Sequence, residues 1–442
     1  MNHQYAVDPV LDLLDLHSLD PQRYPHLLES CATGGQGRYD ILFAFPGESL
    51  VLQDREAFDF LEALDALRIR EGAGHPACAD GLPFQGGWFL YLGYELAGQI
   101  EPHLALRADT SGLPVASATR IPAAVIRDRL QQRCWVVAEQ AGHLEAILED
   151  IAALGSRPAD ADSFSPATLS EDDPRCYLDG VERVLHYIRE GDVFQVNLSR
   201  QWCGDWPADV DSAALYRRLR RANPGPFNGL ATWGDTAILS SSPERLVEVR
   251  GDHVQTRPIA GTRPRGEHAD ADRAKSEELL RHPKEQAEHV MLIDLERNDL
   301  GRVARPGSVR VNELMTLESY ATVHHIVSNV EARLRPGVTP GQVIRAVFPG
   351  GTITGCPKVR CMEIIAELEQ QARGAYTGSM GYLNHDGSMD LNILIRTIVR
   401  GNDRLWFRTG AGIVHDSRPQ RELDETRDKA AGLLRALCGG AT

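Results

Sequence analysis

The chain has 442 residues, 42% hydrophobic and 25% charged, with a formal net charge of −15. That supplies ample apolar material for a large core and excludes nucleic acid or an anionic membrane surface as the expected partner. No apolar run approaches the roughly 18 residues of a membrane span, the N-terminus lacks a basic n-region, and eight scattered cysteines include no C-x-x-C pair, so a reduced cytoplasmic protein is expected.

In chain order, residues 1–155 come first. YDILFAF, SLVL, GGWFLYLGYELA and RCWVVAEQ read as strands, and AFDFLEALDALRIR as an amphipathic helix. Residues 156–175, rich in Pro, Ser, Ala and Asp, read as a linker. The remainder, 176–438, opens with a helix whose apolar face is Tyr177, Val181, Val184, Leu185 and Ile188, and Gly191 stands where a C′ glycine is expected. VFQVNLSRQW then reads as a strand, the segment around Arg250-Gly251-Asp252 as a hairpin, and residues 380–414 as a three-strand meander. Strands and helices come in separate runs, which predicts an α+β fold with antiparallel sheets.

Two helices carry paired carboxylates. In HPKEQAEHVMLIDLERNDLG, Glu285 and Glu288 share a face, and in PQRELDETRDKAAGLLRAL so do Glu422, Glu425 and Lys429. Taken alone, such acids only solvate a helix. Both helices, however, neighbour glycine-rich segments suited to close ligand approach, and carboxylates from two helices plus substrate oxygens suit Mg²⁺. The histidines have no zinc spacing, and adjacent His324 and His325 point to opposite faces of a strand. FPGGTITGCPK offers backbone N–H groups ahead of a helix near Pro357, though it is not a P-loop, and RTGAGIV is a second glycine segment. Arg396 sits in an apolar run, where a cation needs either a buried carboxylate or an acidic ligand. Glu244, after Pro243, reads as a turn residue or a general acid. No G-x-S-x-G or comparable nucleophile elbow is present, so any ammonia drawn from glutamine needs another chain.

Taken together, VFQVNLSR, SSPERL, RPIAGTRPRG, AEHVMLIDLERNDLGRV, VHHIVS, GGTITGCPKVRCMEII, GYLNHDGSMDLNILIRT and TGAGIV with ELDETRDKA resemble the chorismate-utilising family. It comprises anthranilate synthase large subunits, aminodeoxychorismate synthase component I, and the isochorismate and salicylate synthases. LLES at 27–30 and GGWFLYLGYELAG look like the family's amino-terminal region. The resemblance implies two large antiparallel sheets packed as a sandwich with flanking helices. It also implies Mg²⁺ as cofactor, held at Glu288 and Glu425 with Glu285 and Glu422 beside them. Arg396 and Tyr376 match holders of the pyruvyl carboxylate, and Gly410, Gly412, Lys429 and Thr352 match other chorismate contacts. Catalytic positions fall at Gln195, Glu244, Ala260, Thr262 and His325, with Glu244 as the acid that helps the 4-hydroxyl leave.

The same resemblance narrows the nucleophile. Gln195 stands where water-using members carry a lysine base, so ammonia is favoured over water, supplied by a separate glutamine amidotransferase subunit. In Pro258-Ile259-Ala260-Gly261-Thr262, Ala260 stands where aminodeoxychorismate synthases commonly carry a lysine nucleophile; alanine here is the form usual in anthranilate synthases. VFQVNLSR, GYELAGQIEP and FPGGTITGCPKVRCMEII look more like aminodeoxychorismate synthase component I, and LLES resembles part of a tryptophan-binding pocket.

Overall fold

Alternation along the strands decides the architecture. The computed structural model describes residues 3–7, 11–31, 37–72, 81–154, 168–206, 210–266, 268–320, 323–401 and 403–438. The side chains of Thr262, Pro264 and Lys284 also lie outside the described residues. In the strand Tyr39–Ala44, Ile41 and Phe43 enter one apolar cluster and Leu42 and Ala44 another. In Gly87–Leu92, Phe89 and Tyr91 point one way and Leu90 and Leu92 the other. Each of these two strands therefore buries both faces, which requires stacked sheets covered outside by helices.

Among the described residues there are two sheets, of 12 and 10 strands, antiparallel throughout. The larger runs from His3–Val7 through Arg133–Ala138, Ala123–Asp128, Tyr39–Ala44, His26–Glu29, Phe227–Trp233, Thr236–Ser242, Thr397–Gly401, Arg404–Ile413 and Gln195–Asp205 to Gly355–Cys356. The smaller runs from Ile259–Pro264 through Val323–Arg333, His253–Thr256, Arg245–Arg250, Met389–Asn392, Ser379–Asn384, Gly87–Leu92 and Ala116–Ile121 to Ser49–Leu52. Phe43, Phe84, Phe89, Tyr91, Ile126, Ile238 and Met380 fill the space between them. The helices Leu13–Leu19, Ser212–Ala222 and Pro419–Cys438 cover the larger sheet, and Phe60–Gly72, Pro283–Gly301 and Pro340–Val347 the smaller. This is the expected α+β sandwich.

Three expectations change in detail. Strands from 1–155 and 176–438 are interleaved in both sheets, as where Leu28 pairs with Gly229 and Tyr91 with Met380. Residues 155–167 lie outside the described residues, but Leu169–Glu171 of the linker stretch is a strand paired with Gln195–Asp205. The three-strand meander is instead four strands in two sheets: Ser379–Asn384 and Met389–Asn392 belong to the smaller, Thr397–Gly401 and Arg404–Ile413 to the larger. The chain changes sheets at residues 393–396, where Arg396 has φ +52. The apolar run LNILIR is thus a corner rather than one strand.

One buried ion network ties the larger sheet to the helix Lys358–Leu368. Glu369 accepts from Ser199 N at 2.9 Å and Ser199 Oγ at 2.8 Å, from Arg373 Nη2 at 2.7 Å and from Arg408 Nη2 at 2.9 Å. Burial alone would raise its pKa, but the two guanidiniums outweigh burial and hold it below the usual carboxylate range. Removing one member of such a network strands buried charge at a cost of ~3–5 kcal/mol. Glu369→Ala is expected to lose about that much stability in urea titration, and a loss under about 1 kcal/mol would contradict this account.

Candidate active site

The residues singled out in the sequence gather in two groups beside the loop 350–356. The first group stands where the chain crosses between sheets. Thr236–Ser242 ends in the larger sheet and Arg245–Arg250 begins in the smaller, so Glu244 lies in the crossing. The return crossing, 393–396, runs alongside: Ile393 N donates to Glu244 O at 3.0 Å and Ser241 N to Arg396 O at 3.1 Å. Glu244 and Arg396 therefore come from corners fastened to each other.

Glu244 is buried, 5% exposed, and burial pushes its carboxyl up to about 8. The Thr352 hydroxyl, the Ile259 backbone and Arg396 oppose the shift, while the Glu296 carboxylate adds to it. Glu244 Oε1 and Thr352 Oγ1 are each buried with no hydrogen-bond partner among the described residues. No carboxylate of the described residues lies within ion-pair distance of the Arg396 guanidinium, which burial alone would shift downward and the Glu244 charge upward. His325 is buried, and burial together with the Arg396 charge lowers its pKa to about 3, so the ring is neutral. His324 points away, as its strand position requires, with Nε2 2.9 Å from Asp272 Oδ1 and Nδ1 2.7 Å from Ser319 Oγ. Ala260 pairs with Ile326 and is followed by a register shift at Gly261, φ +72. A Cβ there would lie 2.9 Å from Glu285 Oε2, so the glycine lets Glu285 approach the backbone. Thr262 pairs with His325 through its backbone, but its side chain lies outside the described residues.

The second group is built on paired strands. Asn197 pairs with Gly412 and Ser199 with Gly410. A Cβ on Gly412 would fall 2.2 Å from Gln195 Nε2, and one on Gly410 2.8 Å from the Tyr376 hydroxyl. These glycines clear room for neighbouring side chains. Tyr376 is buried beside Arg373, and burial raises its phenol to about 12. Lys429 Nζ donates to Gly410 O at 2.9 Å and pairs with Glu425 at 2.8 Å. The loop joins the groups: Asn197 N donates to Thr354 O, and Gln195 pairs with Cys356. Gly355, by contrast, is a packing position, since its Cβ would meet Gln195 O at 2.1 Å.

A family model described as chorismate binding enzyme matches residues 25–435. The chain belongs to the chorismate-binding enzymes. It is 40% identical over 442 residues to anthranilate synthase component 1 of Thermus thermophilus, covering 97% of this chain and 95% of that protein. It is 43% identical over 370 residues to aminodeoxychorismate synthase component 1 of Bacillus subtilis, covering 80% and 77%. The crystal structure of anthranilate synthase component I from Streptococcus pneumoniae TIGR4 superposes with a TM-score of 0.80 at 32% identity, covering 91% of this chain and 93% of that one.

In this chorismate-binding enzyme the four glutamates remain two pairs. Glu285 accepts from Arg263 at 3.1 Å, Glu288 Oε1 is buried, Glu422 is buried near Tyr177, and Glu425 holds Lys429. Among the described residues no three His, Cys, Asp or Glu side chains cluster as a metal cage. The donors are nonetheless all carboxylates, the kind Mg²⁺ takes, and an ion that keeps several waters needs few of them. Also among the described residues, no helix is long and apolar enough to cross a membrane.

The motif reading missed Glu296 and Asn197. Glu296 is buried, raised to about 7 chiefly by burial and next by Asp299, beside Thr256 and the Gly351 backbone. It lies on the Pro283–Gly301 helix, eleven residues or about three turns past Glu285, so helical spacing extended by two turns finds it. Asn197 lies two residues past Gln195, on the same strand face. Gly412→Ala is expected to leave the circular dichroism spectrum unchanged, because a flexible Gln195 amide can yield. Chorismate turnover should fall at least tenfold, and unchanged turnover would contradict the placement of Gln195 in the site.

Proposed function

We propose that this enzyme is an aminodeoxychorismate synthase. It would aminate chorismate to 4-amino-4-deoxychorismate with ammonia from a glutamine amidotransferase subunit, for p-aminobenzoate and folate synthesis. The observation that carries the reading is Gln195. Its amide is buried beside Gly412; the family resemblance puts a lysine base at this position in water-using members, and an amide cannot deprotonate water. A nucleophile that attacks without first losing a proton to a base, such as ammonia, is therefore favoured. Amination at C4 rests on the likeness of VFQVNLSR, GYELAGQIEP and FPGGTITGCPKVRCMEII to that member, and several similar proteins bear its name.

The roles are those that the family resemblance implies. Glu244 keeps its proton to about pH 8 and gives it to the departing 4-hydroxyl. Arg396 and Tyr376 hold the pyruvyl carboxylate, while Lys429 and the Gly410 and Gly412 backbone orient the other end of the substrate. Neutral His325 and Thr352 line the reacting ring. Glu288 and Glu425, with Glu285 and Glu422 beside them, would hold Mg²⁺, which when bound would supply charge neutralisation for hydroxide departure. With Ala260 in place of the lysine, no amine of this chain attacks C2, and a small nucleophile must do so. That residue favours a second reading, anthranilate synthase component I, and similar proteins carry that name too.

Product identification decides between them. The purified chain is incubated with chorismate, Mg²⁺ and ammonium at alkaline pH. A product that keeps the enolpyruvyl group and yields p-aminobenzoate with added lyase supports the first reading, whereas anthranilate with pyruvate supports the second. No chorismate loss, or loss insensitive to EDTA, overturns both. Efficient use of glutamine by the chain alone would overturn the partner assignment. At fixed free ammonia, kcat/KM for chorismate is expected to fall as pH rises through about 8, because deprotonation removes the Glu244 acid. Glu244→Gln should abolish that fall and cost roughly 10²–10⁴ in rate.

A further inference from the structure

Glu296 is a buried carboxyl, 4% exposed, to which the reaction as described gives no task. It stands on the helix Pro283–Gly301, beyond Glu285 and Glu288. Two donors hold it, the Thr256 hydroxyl from the strand His253–Thr256 and the Gly351 N–H. A Cβ on Gly351 would lie 3.1 Å from Glu296 Oε1, so the bare glycine admits the carboxylate to the backbone. Gly351 opens the short turn Gly351–Ile353, and Thr352 is the next residue. The rest of the loop is fastened elsewhere. Thr354 Oγ1 donates to Gly350 O at 2.9 Å, Arg373 Nη1 to Ile353 O at 3.1 Å, and Asn197 N to Thr354 O at 2.9 Å. Less than one helical turn past Glu296, Asp299 pairs with Lys358, whose Nζ also donates to Val347 O at 3.2 Å. One helix thus grips the chain before the loop, at its head and after it.

Charge reaches the same place. Around Glu244 stand the Thr352 hydroxyl, the Ile259 backbone and the Arg396 cation, which favour its carboxylate, and Glu296, which opposes it. Around Glu296 stand Asp299 on its own helix, Lys358 on the next, Thr256 and the Gly351 backbone. Burial, and next Asp299, raise Glu296 to about 7, so it carries its charge where Glu244 loses its proton, near 8. A like charge in a buried setting favours the neutral acid. A glutamine at 296 can keep both contacts, because its amide accepts from the Gly351 N–H and donates to the Thr256 hydroxyl. The charge is what it would lose.

We infer that Glu296 is a positioning residue of this reaction: it sets the turn that carries Thr352 and places a negative charge behind the acid Glu244. It acts through these two residues and takes no proton from the substrate. This inference rests on the reading of Glu244 as the acid.

The test uses the full chain with chorismate, Mg²⁺ and fixed free ammonia, and follows kcat/KM for chorismate through the alkaline fall. Removing the charge lets Glu244 ionise earlier, so Glu296→Gln is expected to move the midpoint of the fall down by about one pH unit. Glu296→Asp keeps the charge and should keep the wild-type midpoint. Glu296→Ala loses the contacts as well, and should add to the shift a drop in kcat of about tenfold on the acid side of the fall. The contrast between Glu296→Asp and Glu296→Ala serves if the glutamine variant fails to fold. A Glu296→Gln midpoint within about 0.3 unit of wild type overturns the inference, whether or not the rate falls, because a merely structural carboxyl lowers the rate without moving the profile. A wild type with no alkaline fall, or a fall that survives Glu244→Gln, overturns the Glu244 reading and this inference together. A fall that Glu244→Gln abolishes and Glu296→Gln leaves in place overturns only the inference.

Discussion

The two chain crossings at 242–245 and 393–396 hold each other, and the site exists because they do. Ser242 Oγ donates to Ile393 O at 2.5 Å, Ile393 N to Glu244 O, and Ser241 N to Arg396 O. In a sandwich, the place where a strand leaves one sheet for the other is where backbone groups lose their ladder partners and side chains turn toward the gap. Here two such places satisfy each other's backbone, which frees the Glu244 carboxyl and the Arg396 guanidinium to face the interior. The positive φ at Arg396 is a local strain sustained by that mutual bonding.

Behind this corner the enzyme arranges charge by burial rather than by exposed ion pairs. Glu244 and Glu296 are both buried carboxyls; the Glu296 charge raises Glu244, and Glu296 is raised in turn by Asp299, which Lys358 holds. Like charges in a low-dielectric setting favour the neutral acid. On the other side, Glu369 with Arg373 and Arg408 is fully compensated and stays ionised. One cluster of acids is thus pushed toward its neutral form, and the other fixes the sheet on which Gln195, Gly410 and Gly412 lie.

The elements of the fold were legible where the hydrophobic period was clean. The helix at 174–190 ends on Gly191 with φ +82, and the hairpin turns at Gly251 with φ +59, as expected. The corner at Arg396 was not legible, because LNILIRTIV keeps its apolar character through the change of sheet and nothing in composition marks the left-handed residue. Most candidate site residues were found through motifs rather than pattern. Gln195, Glu244, Thr352, Tyr376, Arg396 and Gly412 do gather, though the spacing within each motif says nothing of which partners it meets. Asn197 and Glu296 obey simple periodicities from residues already chosen, and were passed over because a strand amide and a helical acid look ordinary until burial is known.

The interleaving of the sheets bears on how the chain comes to be folded. The strand His26–Glu29 is made early in synthesis but pairs on one side with Phe227–Trp233, and Gly87–Leu92 waits for Ser379–Asn384. A ribosome-bound first half therefore carries apolar strands with one edge still unpaired. Such non-local pairing makes assembly slow, and the exposed edges are where a nascent chain sticks to its neighbours. Chaperone demand during translation is a cost this architecture imposes, independent of how well the finished sandwich is packed.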